Sequence, residues 1–222
     1  TAPVIDQIVP DNGGYLAKNQ DVLVSIKDSD GSNTSIDFTI NEKSLSLNSQ
    51  SGLVSIPSSL MKYGSNTLLI TAKDEYGNQS DENAYQIIFD DVPPVVNIQS
   101  SSSGLYNIDD VAMSSTFTDE YLKTVLVTLN DSVISSDEIV LTEDGNYAYM
   151  VKAWDEAGNE SIQVHRVIID KTKPELRITG LINGAITNQN IPFQVYVKDD
   201  NLETFSFTIN GLDSEQVGEL SD

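Results

Sequence analysis

Acidic residues carry most of the chemistry this sequence could do. The stretches KDEYGNQS (73–80) and KAWDEAGNES (152–161) share the pattern Asp-Glu-x-Gly-Asn-x-Ser, with Asp74 and Asp155 81 residues apart. Each offers two carboxylates, an asparagine oxygen and backbone carbonyls within one turn. Those are the hard oxygen donors that calcium takes. The same residues have a plainer use: Asp opens Asx turns, Gly supplies positive φ, and Asn tolerates left-handed backbone. Residue types alone leave both uses open.

Other chemistries find little support. The chain has no cysteine, which removes disulfides, zinc-thiolate sites and thiol nucleophiles. Its one histidine, His165, shares strand parity with Val167 and Ile169 and is expected at a core edge. No Gly-x-Ser-x-Gly, His-Glu-x-x-His or phosphate-cradling loop occurs, so no catalytic residues are assigned and the chain reads as a non-enzyme. The segment DSDGSN (28–33) fails as an EF-hand, because its Gly falls at the fourth position and the twelfth is Thr39. Asp28, Asp30, Asp74 and Glu75 could still cluster at one end of the first repeat. Lys27 and Lys198 fall on outward positions, against a covalent Lys–Asn cross-link. Trp154 and Tyr76 sit beside the two acidic turns, where they can pack on a linker or stack on a sugar. Asn-x-Ser/Thr sequons occur at Asn33, Asn78, Asn130 and Asn159 and carry little weight.

The charge balance bounds the partners. Twelve basic residues face 34 acidic ones across 222 residues, a net charge of −22. Such a surface repels nucleic acid and anionic membrane and favours cations. Membrane insertion is not expected, since no apolar run approaches the roughly 18 residues of a span. Hydrophobic residues make up 39%, enough for real cores rather than an acidic disordered tail. The opening Thr1-Ala2-Pro3 reads as a piece of a longer or processed polypeptide.

The elements that must position the acidic residues follow from an internal repeat. Pro3, Pro94 and Pro174 are each followed 25 residues later by an aspartate: Asp28, Asp119 and Asp199. Alternating strands precede those aspartates (Val22, Val24, Ile26; Val111, Met113, Ser115, Phe117; Ile191, Phe193, Val195, Val197). A second alternating strand ends in Asn41, Asn130 or Asn210. Leu68, Ile70, Ala72 and Tyr149, Val151, Ala153 then alternate into the acidic turns, and closing strands run to Asp90 and Asp170. Period-2 patterning over short segments means half-buried strands. The chain is therefore expected to be all-β, with antiparallel β-sandwiches in tandem. The expected domains are 1-91, 92-172 and 173-222, the last only the N-terminal half of a repeat. A half-sandwich lacks packing partners, so either the chain is cut there or a second polypeptide supplies strands by complementation.

Lettered as a sandwich, the strand ending at Asp28, Asp119 or Asp199 is B, the next C, that ending at Asp74 or Asp155 F, and the last G. The B–C and F–G loops then lie at the end where the preceding linker arrives. At the first linker this gathers Asp90, Asp91, Asp119, Glu120, Asp155, Glu156 and Asn159. Six carboxylates at about 6 Å spacing repel by about 0.7–3 kcal/mol per pair for dielectrics of 80 to 20. A bound calcium ion would relieve that repulsion and fix the linker against two loops; turn chemistry with solvated acids is the alternative. Asp170, Asp199 and Asp200 form the weaker counterpart at the second linker.

The run KAWDEAGNES…VIIDKTKPELRITG resembles the repeated immunoglobulin-like domains of large bacterial surface proteins and adhesins. Their repeats run from an Asp-x-x-Gly-Asn turn through a closing strand and Ile-Asp-x-Thr-x-Pro into the next domain. The first linker departs from that pattern, with Asp90-Asp91-Val92-Pro93-Pro94 in place of the Thr. The resemblance implies tandem immunoglobulin-like β-sandwiches, neighbouring repeats as partners, and an extracellular setting, on a bacterial cell surface or secreted. It also implies a spacer or stalk role, with calcium at domain junctions in some relatives. A module binding a carbohydrate or a protein receptor, and an accessory region of a secreted polysaccharide-acting enzyme, are the other functions considered.

Overall fold

The computed structural model describes residues 1–29, 31, 33–49, 52–184, 186, 188–189, 191–209 and 212–214. In the first repeat the strands are β1 (Val4–Val9), β2 (Tyr15–Leu16), β3 (Asp21–Lys27), β4 (Thr34–Ile40), β5 (Lys43–Ser49), β6 (Leu53–Pro57), β7 (Gly64–Asp74) and β8 (Asn83–Phe89). They form two sheets, ordered β1-β3-β6 and β2-β8-β7-β4-β5. The β2–β8 pair is parallel; β1–β3, β3–β6, β4–β5, β4–β7 and β7–β8 are antiparallel.

The alternation that defines these strands also builds the core. Val22, Val24 and Ile26 of β3 point inward, as do Ile36, Phe38 and Ile40 of β4 and Leu68, Ile70 and Ala72 of β7. Each large apolar side chain so buried contributes about 1.5–3 kcal/mol. The C strands end in Asn for a local reason. Asn41 and Glu42 (φ 48° and 69°) turn β4 into β5, and Asn130 and Asp131 (φ 47° and 63°) make the equivalent turn in the second repeat. Two successive residues at positive φ match the twist of a hairpin, and Asn tolerates that region. Between β6 and β7 the chain makes a 3₁₀ turn at Ser58–Leu60. Fully buried Asn66 ties this crossing together. Its Oδ1 accepts from the Lys62 N–H (2.9 Å) and Asn41 Nδ2 (2.8 Å), and its Nδ2 donates to the Lys62 and Gly64 carbonyls (both 2.8 Å).

The second repeat follows the same plan with β9 (Val95–Ser100), β10 (Tyr106–Asn107), β11 (Val111–Thr118), β12 (Leu122–Leu129), β13 (Ser132–Val133), β14 (Glu138–Leu141), β15 (Gly145–Asp155) and β16 (Glu160–Ile169). Its sheets are ordered β14-β11-β9 and β10-β16-β15-β12-β13, with β10 parallel to β16 as β2 is to β8. Beyond it, β17 (Glu175–Thr179) pairs with β18 (Gln194–Lys198), and β19 (Phe207–Ile209) with β20 (Leu212–Ser214), both antiparallel. The chain packs as two compact units. One comprises Thr1–Ile98, Ser115–Asp137 and Tyr149–Val164; the other comprises Gln99–Ser114, Glu138–Ala148 and the described residues from His165 onward.

The third repeat departs in detail from the expected strands. The strand expected from Ile191 starts at Gln194, because Pro192 has no N–H to give a ladder. Phe193 lies outside it and meets Phe207 edge-on, with ring centroids 6.2 Å apart. The strand expected from Phe205 starts at Phe207, and Asn210 lies outside the described residues.

Candidate metal centre at the first linker

The site assembles from three strand ends within the first compact unit. Asp90 directly follows β8, and its N–H donates to the Leu16 carbonyl of β2 (3.0 Å). That bond continues the β2–β8 pairing into the start of the linker, and Asp90 is fully buried. Its Oδ1 accepts the Val92 N–H at 3.0 Å. Its Oδ2 is also buried and has no hydrogen-bond partner. Asp119 follows β11, where its Oδ1 accepts the Tyr121 N–H at 2.8 Å and so bends the B–C loop.

Asp155 ends β15, fully buried. Its two oxygens accept the Asn159 N–H and Asn159 Nδ2, both at 2.8 Å, and Gly158 closes the turn at φ 91°. Asn159 Nδ2 also donates to the Asp90 carbonyl at 2.9 Å, which links the F–G loop to the linker. The twin turn repeats this closure. Asp74 Oδ1 accepts the N–H groups of Tyr76 (3.0 Å) and Asn78 (2.7 Å), and Oδ2 accepts Asn78 Nδ2 (2.5 Å). Asp-x-x-Gly-Asn is therefore turn chemistry in both repeats. What differs is the company each aspartate keeps.

One carboxylate oxygen from each of Asp90, Asp119 and Asp155 lies within 4.8 Å of the other two. Three points so spaced fit a circle of radius at most about 2.8 Å (4.8 Å divided by √3), against the 2.3–2.6 Å of calcium–oxygen bonds. A small contraction would bring all three to bonding distance of calcium. Magnesium, at about 2.0–2.1 Å and strictly octahedral, would need a larger one. Burial pushes the Asp90 carboxyl above its ordinary value, against the pull of the Val92 N–H, and the charges of Asp155, Asp119 and Asp91 push it further. A fully buried carboxylate with one donorless oxygen, close to two other carboxylates, fits a hard cation.

The remaining expected ligands are placed differently. Asp91 is exposed. Glu120 Oε2 accepts from the Tyr63 hydroxyl at 3.1 Å, and Glu156 pairs with Lys123 at 3.4 Å. Asn159 braces the trio through its amide. Among the described residues no second trio of this spacing occurs: Asp28, Asp74 and Glu75 do not form one, nor do Asp170, Asp199 and Asp200. Asp30 lies outside the described residues.

One neighbouring feature had no spacing signal in the sequence. Tyr15 at the start of β2, Tyr63 before β7 and Tyr121 after Asp119 form an aromatic cluster beside the trio. Tyr121 meets Tyr15 edge-on at 5.4 Å between ring centroids and Tyr63 at 6.3 Å. The Tyr63 hydroxyl is pushed up to about 12, first by burial and then by its bond to Glu120 and the charge of Asp90. Elsewhere, Tyr76 is 74% exposed and Trp154 half-buried. His165 sits half-buried on β16 with its Nε2 buried and unpartnered.

Two sheets around an apolar core in the first repeat, and the same strand plan in the second, make this an all-β chain of mainly antiparallel β-sandwiches. No family model and no curated protein matches the sequence. Among solved structures, the chain is similar to fibronectin(III)-like modules of CbhA from Clostridium thermocellum, at 15% identity and TM-score 0.44, covering 75% of this chain and 93% of that one. It is also similar to a structure from a 1.5-MDa bacterial ice-binding adhesin (13% identity, TM-score 0.42, covering 82% and 70%). Murine CEACAM1b is a third (10% identity, TM-score 0.41, covering 76% and 98%). No helix among the described residues is long and apolar enough to cross a membrane.

Proposed function

We propose that this chain is a non-catalytic spacer of a bacterial cell-surface or secreted protein, built from repeats that meet near Asp91 and Lys173. A calcium ion at the first linker, held by Asp90, Asp119 and Asp155, fixes that linker to the B–C and F–G loops of the repeat that follows. The observation that carries this reading is the fully buried Asp90 carboxylate, which has one oxygen without a donor and lies within 4.8 Å of two other carboxylates. Without a counter-ion, that arrangement opposes the docking it sits in. With one, the same charges become a mechanical cross-link, which is what a spacer under load needs.

The test is thermal unfolding in calcium, in magnesium and in EDTA. With free calcium at ten times its dissociation constant, linkage predicts about 1.4 kcal/mol of stabilisation and a rise of several degrees. Asp119→Ala and Asp155→Ala should each remove a rise that magnesium does not reproduce. Identical melting in all three solutions would refute the calcium reading.

A further inference from the structure

The two linkers are built alike but finished differently. At the first, the linker aspartate Oδ1 accepts the N–H two residues on (Asp90 from Val92, 3.0 Å), and the B–C aspartate does the same (Asp119 from Tyr121, 2.8 Å). At the second, Asp170 Oδ1 accepts the Thr172 N–H at 3.0 Å and Asp199 Oδ1 accepts the Asn201 N–H at 2.8 Å. The linker aspartates differ in burial, Asp90 fully buried and Asp170 half-buried, and in their other oxygen. Asp90 Oδ2 is buried without a donor, whereas Asp170 Oδ2 accepts Asn201 Nδ2 at 2.5 Å. One asparagine therefore bridges the two carboxylates at the second linker, with its backbone on Asp199 and its side chain on Asp170. Tyr121 holds the equivalent position at the first linker, and its ring turns to Tyr15 and Tyr63 instead.

We infer that the residue two places after the B–C aspartate decides whether a linker requires a cation. Asn201 clasps the second linker with a neutral amide, and Tyr121 leaves the first to a metal. A side-chain N–H gives a carboxylate oxygen a donor without adding charge or depending on metal supply. The inference rests on the calcium reading of the first linker and extends it: calcium would tighten one linker of this chain and leave the other unchanged.

Exchange of the four linker amides, measured by NMR on the whole chain in calcium and in EDTA, tests it. In the wild type, calcium should slow exchange at Val92 and Tyr121 by about tenfold, the rate equivalent of the linkage above. Thr172 and Asn201 should not change. Slowing at Thr172 and Asn201 as well would overturn the inference. Tyr121→Asn should abolish the calcium response at Val92, while Tyr121→Ala, which also breaks the aromatic cluster, should keep it. Equal responses from these two variants would also overturn it. Asn201→Ala should speed exchange at Thr172 in both solutions, and unchanged exchange there would refute the clasp. If Val92 and Tyr121 ignore calcium in the wild type, the calcium reading itself fails, and the inference with it. That outcome is separate from the failure of Asn201→Ala, which reads the amide clasp with no metal present.

Discussion

Asp90 is the residue on which the first linker turns. Its carboxylate is buried, short of one donor and surrounded by like charges. Asp90→Asn removes the buried charge and should raise stability in EDTA by about 1–3 kcal/mol, the size of one buried unsatisfied group. The same change should erase the calcium response. Chemical unfolding in the two solutions checks both, and a variant less stable than wild type in EDTA would show that the charge is already compensated. Tyr149 makes a contrasting case, a buried polar group that is fully satisfied. Its hydroxyl donates to the Asp137 carbonyl (2.9 Å) and bonds Ser115 Oγ (3.0 Å). Tyr149→Phe takes this partner from buried Ser115 Oγ, while the Asp137 carbonyl keeps the Ser115 N–H (2.9 Å), and should cost about 1–3 kcal/mol in urea unfolding.

At the scale of elements, the acidic turns close their hairpins whether or not a metal is near. Bonds from Asn78 and Tyr76 outweigh burial and hold the Asp74 carboxyl below its ordinary value of 3.8. A depressed carboxylate stabilises the fold above its unfolded value and stops doing so as pH falls through the folded one. Wild type should therefore be more stable than Asp74→Asn near neutral pH, and the gap should close below pH 3.8. A gap independent of pH would mean that the ionised form of Asp74 adds nothing. These turns were legible in the sequence because their chemistry is local: Asp, Gly and Asn at fixed offsets satisfy one another within five residues. The strands were legible for the same reason, since alternation is a property of neighbouring residues. The late start of β18 came from Pro192, whose missing N–H outweighs the apolar alternation that continues through Ile191 and Phe193.

For the whole molecule, net charge dominates. A surplus of 22 negative charges stores self-repulsion in the compact state, and added salt relieves it by screening. Between about 0.01 M and 0.15 M ionic strength the screening length falls from about 30 to 8 Å. Melting temperature in EDTA should rise over that range, and Asp90→Asn should rise less because its buried cluster has lost one charge. A melting temperature indifferent to salt would show that repulsion is not what the acidic surface stores.

The sequence by itself displayed the B, C, F and G strands of the first two repeats, the acidic turns, the three-fold repeat and the list of acids able to reach each linker. Tertiary structure alone decided which acids meet. Asp90, Asp119 and Asp155 converge because three strand ends meet there, while Asp91, Glu120 and Glu156 take up solvent, a tyrosine and a lysine instead. It also decided that Tyr15, Tyr63 and Tyr121 form one cluster and that Asn201 reaches Asp170. Periodicity and turn chemistry act between neighbours along the chain, so a sequence displays them. The burial of one carboxylate oxygen depends on side chains tens of residues apart, and only the folded chain brings those together.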